Sequence, residues 1–474
     1  MTKFSALSQK WQNKLVPSLF CIFALVLFIH LGRDPLFDWD ESIYGELGRE
    51  LVKSGNLLTN FWNGSPWFEK PPGVSWLAGL GITIFGGEFG ARFFMPILAG
   101  LTLYLVYLIG KKLYDWHTGL ISAGLLGSLN LFLDRTRALN TDMPLLLGIA
   151  ASVTTLLYGL PPLAFALAVS VSIMFKGLAG LMSVIIVLPL LIKKNSRYIL
   201  HSTFYILLFT LPWHLYSYAK YGMEFLRPYL LEQVLTRAVS PIEFHLESRW
   251  YYLNFLYTNL GIGVLLVTAL GAALVAKRLA RDKKHQNLFV LWWVFIPLAI
   301  FTLAKTRLYW YILPVYPAIT LLVGYAVTRG GGKNMSKNLL TIIAFGMVLQ
   351  AIFAGYKYTD PTRSEPTSTD LLATVRSLAK FNERALIYLV PQSERTAEAI
   401  LPESQRISSS FRYGGAPSVV YYFGNQVMYF YNTDHFQEFA QSHPDYSVML
   451  SPADSSLIVG RVTITENNSY IGIE

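Results

Sequence analysis

The chain has 474 residues, of which 53% are hydrophobic, 15% aromatic and only 14% charged. That balance excludes an ordinary soluble domain and points to a polytopic membrane protein. The formal charge of +10 is no nucleic-acid signature, because the basic residues fall in short clusters between apolar runs.

The N-terminal "MTKFSALSQKWQNK" precedes "LVPSLFCIFALVLFIHLG", which is too long for a signal peptide and lacks a small-x-small cleavage site, so it reads as a retained first span. It holds the single cysteine, Cys21, which excludes a disulfide framework or a cysteine metal site within one chain. Spanning takes about 20 apolar residues, roughly 17 at the short end. Suitable runs lie at 15–32, 91–110, 118–133, 143–160, 161–175, 177–192, 199–213, 251–276, 288–304, 308–328 and 339–356, about eleven spans. The short, glycine-rich "VSWLAGLGITIFGG" at 74–87 reads as an interfacial helix.

With the N-terminus cytoplasmic, alternation puts Lys111 and Lys112, Lys193, Lys194 and Arg197, the 277–284 cluster "KRLARDKK", and Arg329, Lys333 and Lys337 on the inner side. The outer side receives 33–90, 134–142, 214–250, the turns at 176 and 305–307, and everything from about 357. Lys70, Arg135, Arg137, Lys176, Arg237, Lys305 and Arg307 then stand outside against the rule. An anionic ligand at that face would account for them.

In the first external loop Asp38 and Glu41 have capping-box spacing for a helix "WDESIYGELGRELVKS" that stops at Gly55. Glu46, Arg49, Glu50 and Lys53 can pair with one another on it. Capping leaves Asp40 unexplained; either the helix dipole favours it or it is a general base. In "WFEKPPG" the prolines present Glu69 and Lys70 at a rigid corner, as an exposed ion pair or with Lys70 as a phosphate ligand. "DRTRALNTDMP" brings Asp142 to the same face, as an N-cap or as a second site carboxylate.

Lys176 in "FKGLAG" can snorkel or meet the ligand. "PYLLEQVLTRAVSPIEFHLESRWYYL" offers Glu232, Arg237, His245 and Glu247 on an amphipathic helix. Lys305 and Arg307 sit beside the aromatic belt "LYWY". After a flexible "RGGGKNMSKN" connector, the tail changes character. "RALIYLV", "PSVVYYFG", "DYSVMLS" and "SSLIVGRVTIT" read as strands and "TDLLATVRSLAKF" as a helix, a small external α/β domain over 357–474 without a catalytic motif.

Taken together, Asp40, Glu41, Tyr44, Glu46, Arg49 and Glu50 in the pattern D-E-x-x-Y-x-E-x-x-R-E, followed by "EKPP" at 69–72, "NTDMP" at 140–144, "KG" at 176–177 and "TRLYWYILPVYPAI" at 306–319, resemble the bacterial aminoarabinose transferase and protein O-mannosyltransferase superfamily. The resemblance implies an all-α GT-C membrane domain over 1–356, with a large first loop at 33–90, in the bacterial inner membrane. It implies an enzyme that moves a sugar from a polyprenyl-phosphate carrier, such as undecaprenyl phosphate, to a lipid, protein or glycan acceptor at the outer face.

On that reading Asp40 is the catalytic carboxylate, with Asp142 and Glu41 beside it. Lys70, Glu69, Tyr44, Lys176, Arg237, Lys305 and Arg307 hold the carrier phosphate or the sugar. The aminoarabinose branch has an arginine where this chain has Ile43, and a metal-pairing histidine where it has Gln233. These departures leave open both a divalent metal at Glu69 and lipid A as the acceptor. A direct attack would invert the anomeric centre, and a transporter of lipid-linked sugars is the competing class.

Overall fold

Backbone polar groups in hydrocarbon must be satisfied within the chain, and helices do this residue by residue. The computed structural model describes residues 17–237, 247–282, 285–330, 346, 369–381, 384–400, 413–458 and 460–473. Helices occupy ten of the eleven apolar runs; the other, 339–356, lies outside the described residues apart from Gly346. Among the described residues, four stretches are by length and composition able to cross a membrane, Gly87–Leu113, Pro162–Leu191, Tyr251–Arg281 and Tyr309–Arg329.

The first helix, α1 (Pro17–Val26), leads into the long loop. There α2 (Asp40–Ser54) ends at Gly55, whose φ of +66° makes the left-handed stop expected of it. Strands β1 (Asn60–Trp62) and β2 (Ser65–Trp67) form a hairpin around Asn63 and Gly64, both at positive φ. The segment read as interfacial is α3 (Gly73–Phe85). It packs closely on α2 at a seam of small residues, since a Cβ on Gly48 would lie 2.7 Å from the Ala78 Cβ and 2.8 Å from the Gly79 amide nitrogen.

The bundle continues with α4 (Gly87–Arg92), α5 (Phe94–Leu113), α6 (Trp116–Ser128), α7 (Asn130–Arg137), α8 (Asp142–Leu157), α9 (Pro162–Lys176), α10 (Met182–Leu191) and α11 (Ser196–Tyr221). The chain breaks after α9 at Gly177, with φ +61° and ψ −141°. It then turns back so closely that a Cβ on Gly180 would lie 2.4 Å from the backbone of Ser172. The apolar stretch Pro162–Leu191 is thus broken at Gly177, with Lys176 at the turn. Helix α11 leaves Leu200, Phe204, Leu207, Leu208 and Leu215 exposed, as a lipid-facing helix would.

The two ends of the bundle differ in charge. At one, Lys111 and Lys112 end α5, Arg278 lies over the rings of Tyr114 and Tyr325, and Arg329 lies over Tyr325. A hydrogen bond between the Thr118 and Thr328 hydroxyls (3.0 Å) fixes that end. At the other end the start of α8 meets the end of α9, and the first loop covers both.

The C-terminal segment carries a five-stranded sheet in the order β4-β3-β5-β7-β6. Strands β3 (Ala385–Leu389), β4 (Gln426–Phe430) and β5 (Ser447–Leu450) run parallel. Strands β6 (Thr463–Glu466) and β7 (Ile471–Ile473) are antiparallel additions. "TDLLATVRSLAKF" is helical as expected. "PSVVYYFG", expected as a strand, is instead a helix over Ser418–Phe423, preceded by Pro417 and closed by Gly424 at φ +86°.

This unit sits on the first loop through polar contacts of long sequence range. Asn63 donates to the Val427 carbonyl (2.6 Å) and accepts from its amide (2.8 Å). Arg49, paired with Glu46 at 2.6 Å as its spacing suggested, also donates to the Tyr421 carbonyl (2.8 Å). Removing both Asn63 bonds with Asn63→Ala should weaken docking by about 1–2 kcal/mol. Hydrogen exchange at the Val427 amide should accelerate about 5- to 30-fold, while exchange in α5 to α9 stays unchanged.

Candidate functional site

A cavity of about 920 Å³ opens where the first loop covers the ends of α8 and α9. Its formation starts from Glu41. The predicted capping box does not form: Trp39 takes the N-cap position with a φ of +70° and no side-chain cap. Asp38 accepts instead from the Ser418 amide (2.9 Å). Glu41 accepts from the Phe37 amide at 2.9 Å, the reach-back half of a box. Both of its oxygens also take the Arg92 guanidinium, each at 2.6 Å, and Oε1 accepts the Leu139 amide at 2.7 Å. The Arg92 and Leu139 donors are buried, so Glu41, expected next to the reacting groups, ties the first loop to the 138–141 loop.

Asp40 follows the strained Trp39 and faces the cavity. Among the described residues no hydrogen bond engages its carboxylate. Burial, reinforced by the negative charge of Asp142, holds its pKa above the ordinary carboxylate value, against the pull of Arg135, Lys70 and Lys176.

Asp142 is not the cap of α8. Asn140 fills that role, its Oδ1 accepting the amides of Asp142 (2.8 Å) and Met143 (2.9 Å). The Asp142 carboxylate therefore remains available and pairs with Lys176, whose ammonium also lies 5.4 Å from the centre of the Tyr311 ring. Asp40 and Asp142, about a hundred residues apart, line one cavity.

Cations line the same cavity. The prolines after Lys70 hold the "EK" corner, where Lys70 donates to Gln233 Oε1 (2.7 Å) and Gln233 Nε2 donates to Glu69 (2.8 Å). Burial, then the neighbouring Arg237, push the Lys70 pKa down to about 8, with Glu69 opposing. Arg237 donates to the Tyr311 hydroxyl (3.0 Å). Tyr44, an edge-on neighbour of Trp67, stays neutral because burial lifts its pKa far above the usual phenol value.

Gln233 and Arg237 reach the cavity because the chain over Arg227–Thr236 is a π-helix rather than an ordinary amphipathic helix. Glu232 does not line the cavity and pairs with Arg227 at 3.4 Å. His245 lies outside the described residues. Lys305 is exposed and does not line the cavity. Nor does Arg307, whose guanidinium instead donates to the carbonyls of Glu247 and Thr302, stitching two loops together.

Two site residues escaped the motif reading. Arg135, held between the rings of Trp310 and Tyr309 at 5.1 and 5.8 Å, faces Asp40; its only signal was a positive charge outside the rule. Gln233 stood out only as a departure.

The group at Glu69 does not suit a divalent cation. Its two oxygens receive the Tyr413 hydroxyl (2.5 Å) and the Gln233 amide (2.8 Å). Among the described residues no three His, Cys, Asp or Glu side chains converge as a ligand set.

The fold is that of the GT-C glycosyltransferases, and the match to the family "Dolichyl-phosphate-mannose-protein mannosyltransferase" covers residues 69–216. In particular, the chain is similar to aminoarabinose transferases. An undecaprenyl phosphate-alpha-4-amino-4-deoxy-L-arabinose arabinosyl transferase of Pseudomonas fluorescens is 27% identical over 366 residues, which span 73% of this chain and 64% of that protein. An uncharacterized protein of Aquifex aeolicus is 27% identical over 73% of this chain and 69% of its own length.

ArnT from Cupriavidus metallidurans bound to undecaprenyl phosphate shares the fold with a TM-score of 0.73 at 17% identity, covering 96% of this chain and 97% of that one. The Archaeoglobus fulgidus oligosaccharyltransferase aligns with a TM-score of 0.58 at 14% identity over 93% of this chain and 70% of that one. The resemblance drawn from the motifs therefore holds in sequence and in fold.

Breaking the buried Glu41–Arg92 pair from one side should be severe. Arg92→Leu should lower the unfolding free energy by about 3–5 kcal/mol, seen as a fall in the thermal midpoint in detergent. Glu41→Gln with Arg92→Leu, which leaves no bare carboxylate, should recover part of it.

Proposed function

We propose that the chain is an inner-membrane glycosyltransferase that moves a sugar from an undecaprenyl-phosphate-linked donor onto an acceptor hydroxyl or amine, at the outer face, with inversion. The observation that carries this reading is the cavity itself. Two carboxylates, Asp40 and the Lys176-paired Asp142, share it with Lys70 and Arg237 at the bundle end away from the Lys111, Arg278 and Arg329 cluster. By the positive-inside rule that cluster is cytoplasmic and the cavity faces outward. Of the proteins named above, the Pseudomonas fluorescens transferase is named for an undecaprenyl-phosphate-linked sugar, and the Cupriavidus metallidurans ArnT is seen bound to undecaprenyl phosphate.

In this mechanism the donor's phosphate lies against Lys70 and Arg237. Asp40 takes the proton of the acceptor group as its heteroatom attacks the anomeric carbon from the face opposite the phosphate. The new glycosidic bond forms as the bond from carbon to phosphate oxygen breaks. The electron pair leaves with undecaprenyl phosphate, whose growing charge Lys70 and Arg237 absorb. Asp142, neutralised by Lys176, keeps the site from carrying two bare carboxylates and fixes the floor on which the sugar lies. Glu41 acts by positioning Asp40. Residues 357–474 form the outer α/β unit in this arrangement. A transporter of lipid-linked sugars would need no proton acceptor beside the phosphate site.

Two measurements test the assignment. Asp40→Asn should leave the thermal midpoint nearly unchanged and slow release of undecaprenyl phosphate from a labelled donor about 100- to 10,000-fold. Unchanged release would remove Asp40 from the mechanism, and no release from the wild type in the presence of envelope acceptors would favour transport.

The pH profile supplies the second. Asp40 must be ionised, so the rate should rise with pH through a value above the ordinary carboxylate range. Lys70 must be protonated, so the rate should fall above pH about 8. In Lys70→Arg, which keeps its charge, the alkaline fall should disappear.

A further inference from the structure

Resting on the reading above, we propose that Tyr413, delivered from the C-terminal sheet unit, is a positioning residue for Lys70, so that capture of the carrier phosphate depends on that unit. Four groups make a chain of hydrogen bonds whose directions are forced by their chemistry. Lys70 can only donate and the Glu69 carboxylate can only accept, so the Gln233 amide between them has one possible orientation, oxygen to Lys70 (2.7 Å) and nitrogen to Glu69 (2.8 Å).

The other end is equally constrained. The Trp67 indole nitrogen can only donate, and it donates to the Tyr413 hydroxyl at 2.9 Å. The Tyr413 proton therefore points at Glu69, 2.5 Å away. Glu69 takes one donor on each oxygen and the relay is closed. One of the three Lys70 protons is held by Gln233, which aims the remaining two at the cavity.

The Tyr413 ring cannot drift. It is 5% exposed and meets Trp62 edge-on at 4.7 Å and Trp39 at 6.3 Å. Gly414 and Gly415 follow at φ +64° and +72°, a turn that side chains would resist. Tyr413 lies 344 residues from Glu69 in sequence, so this contact exists only when the sheet unit is docked.

The test is binding of undecaprenyl phosphate to the full chain in detergent, for the wild type, Tyr413→Phe, Gln233→Leu and the double variant. Tyr413→Phe keeps the ring between the tryptophans and removes only the hydroxyl. It should weaken binding about 5- to 20-fold, and Gln233→Leu should do so by a similar factor. Because both act through one relay, the double variant should be no more than about twofold weaker than the worse single one.

Two results would overturn the inference: a Tyr413→Phe affinity within about twofold of wild type, or losses that multiply in the double variant. The cycle decides even where Tyr413→Phe lowers the thermal midpoint, because a purely structural loss would multiply with that of Gln233→Leu. Absence of binding by the wild type would overturn the proposed function together with this inference. Binding that ignores Tyr413 would overturn this inference alone.

Discussion

The site depends on the buried fork between Glu41 and Arg92. Both side chains are 3% exposed, and together they gather the Phe37 amide, the Leu139 amide and the carbonyls of Leu31, Asp34 and Pro35 into one network. A buried pair of this kind contributes little net stability, since desolvation offsets attraction, but each partner is costly to leave alone. Its effect is therefore geometric. It sets where α2 starts, which fixes Asp40, and where the 138–141 loop lies, which through Asn140 fixes Asp142. Two carboxylates from separate loops share a cavity because a third, one residue from the first, is bonded to both loops.

The same constraint organises the charge. Asp40 and Asp142 repel each other in the cavity, and Lys176 neutralises one while Arg135 and Lys70 favour the charge of the other. The cations in turn are held by aromatic rings and an amide: Lys176 over Tyr311, Arg135 against Trp310, Lys70 on Gln233. Such contacts orient a positive charge without cancelling it. A charged group entering the cavity thus meets oriented cations and, in Asp40, a carboxylate that no hydrogen bond among the described residues engages, the polarity that a substrate losing a phosphate leaving group requires.

Much of this was legible in the sequence, for local reasons. Apolar length and basic clusters separated the two ends of the bundle, and the prolines of "EKPP" and the glycine at 55 have local backbone effects that need no partner. Asp40 was singled out because its neighbours had another explanation. That explanation was itself incorrect, since Asp38 bonds Ser418 and Glu41 bonds Arg92, contacts 380 and 51 residues away that spacing cannot reveal. Lys305 and Arg307 have the same composition signal as Lys70, yet one is solvated and the other ties loops; only the path of the chain separates them. Strand β4, "QVMYF", went unread and the helix at Ser418–Phe423 was misread, because short apolar runs carry no periodicity and Pro417 and Gly424 decide the matter.

The central claim is that the cavity's cations receive a phosphate in the space they share with Asp40. A cryo-EM map of the full chain with undecaprenyl phosphate tests it most directly. The account predicts phosphate density about 3 Å from the Lys70 ammonium, inside the cavity that Asp40 lines. Density instead at the Lys111, Arg278 and Arg329 end, with none in the cavity, would contradict it.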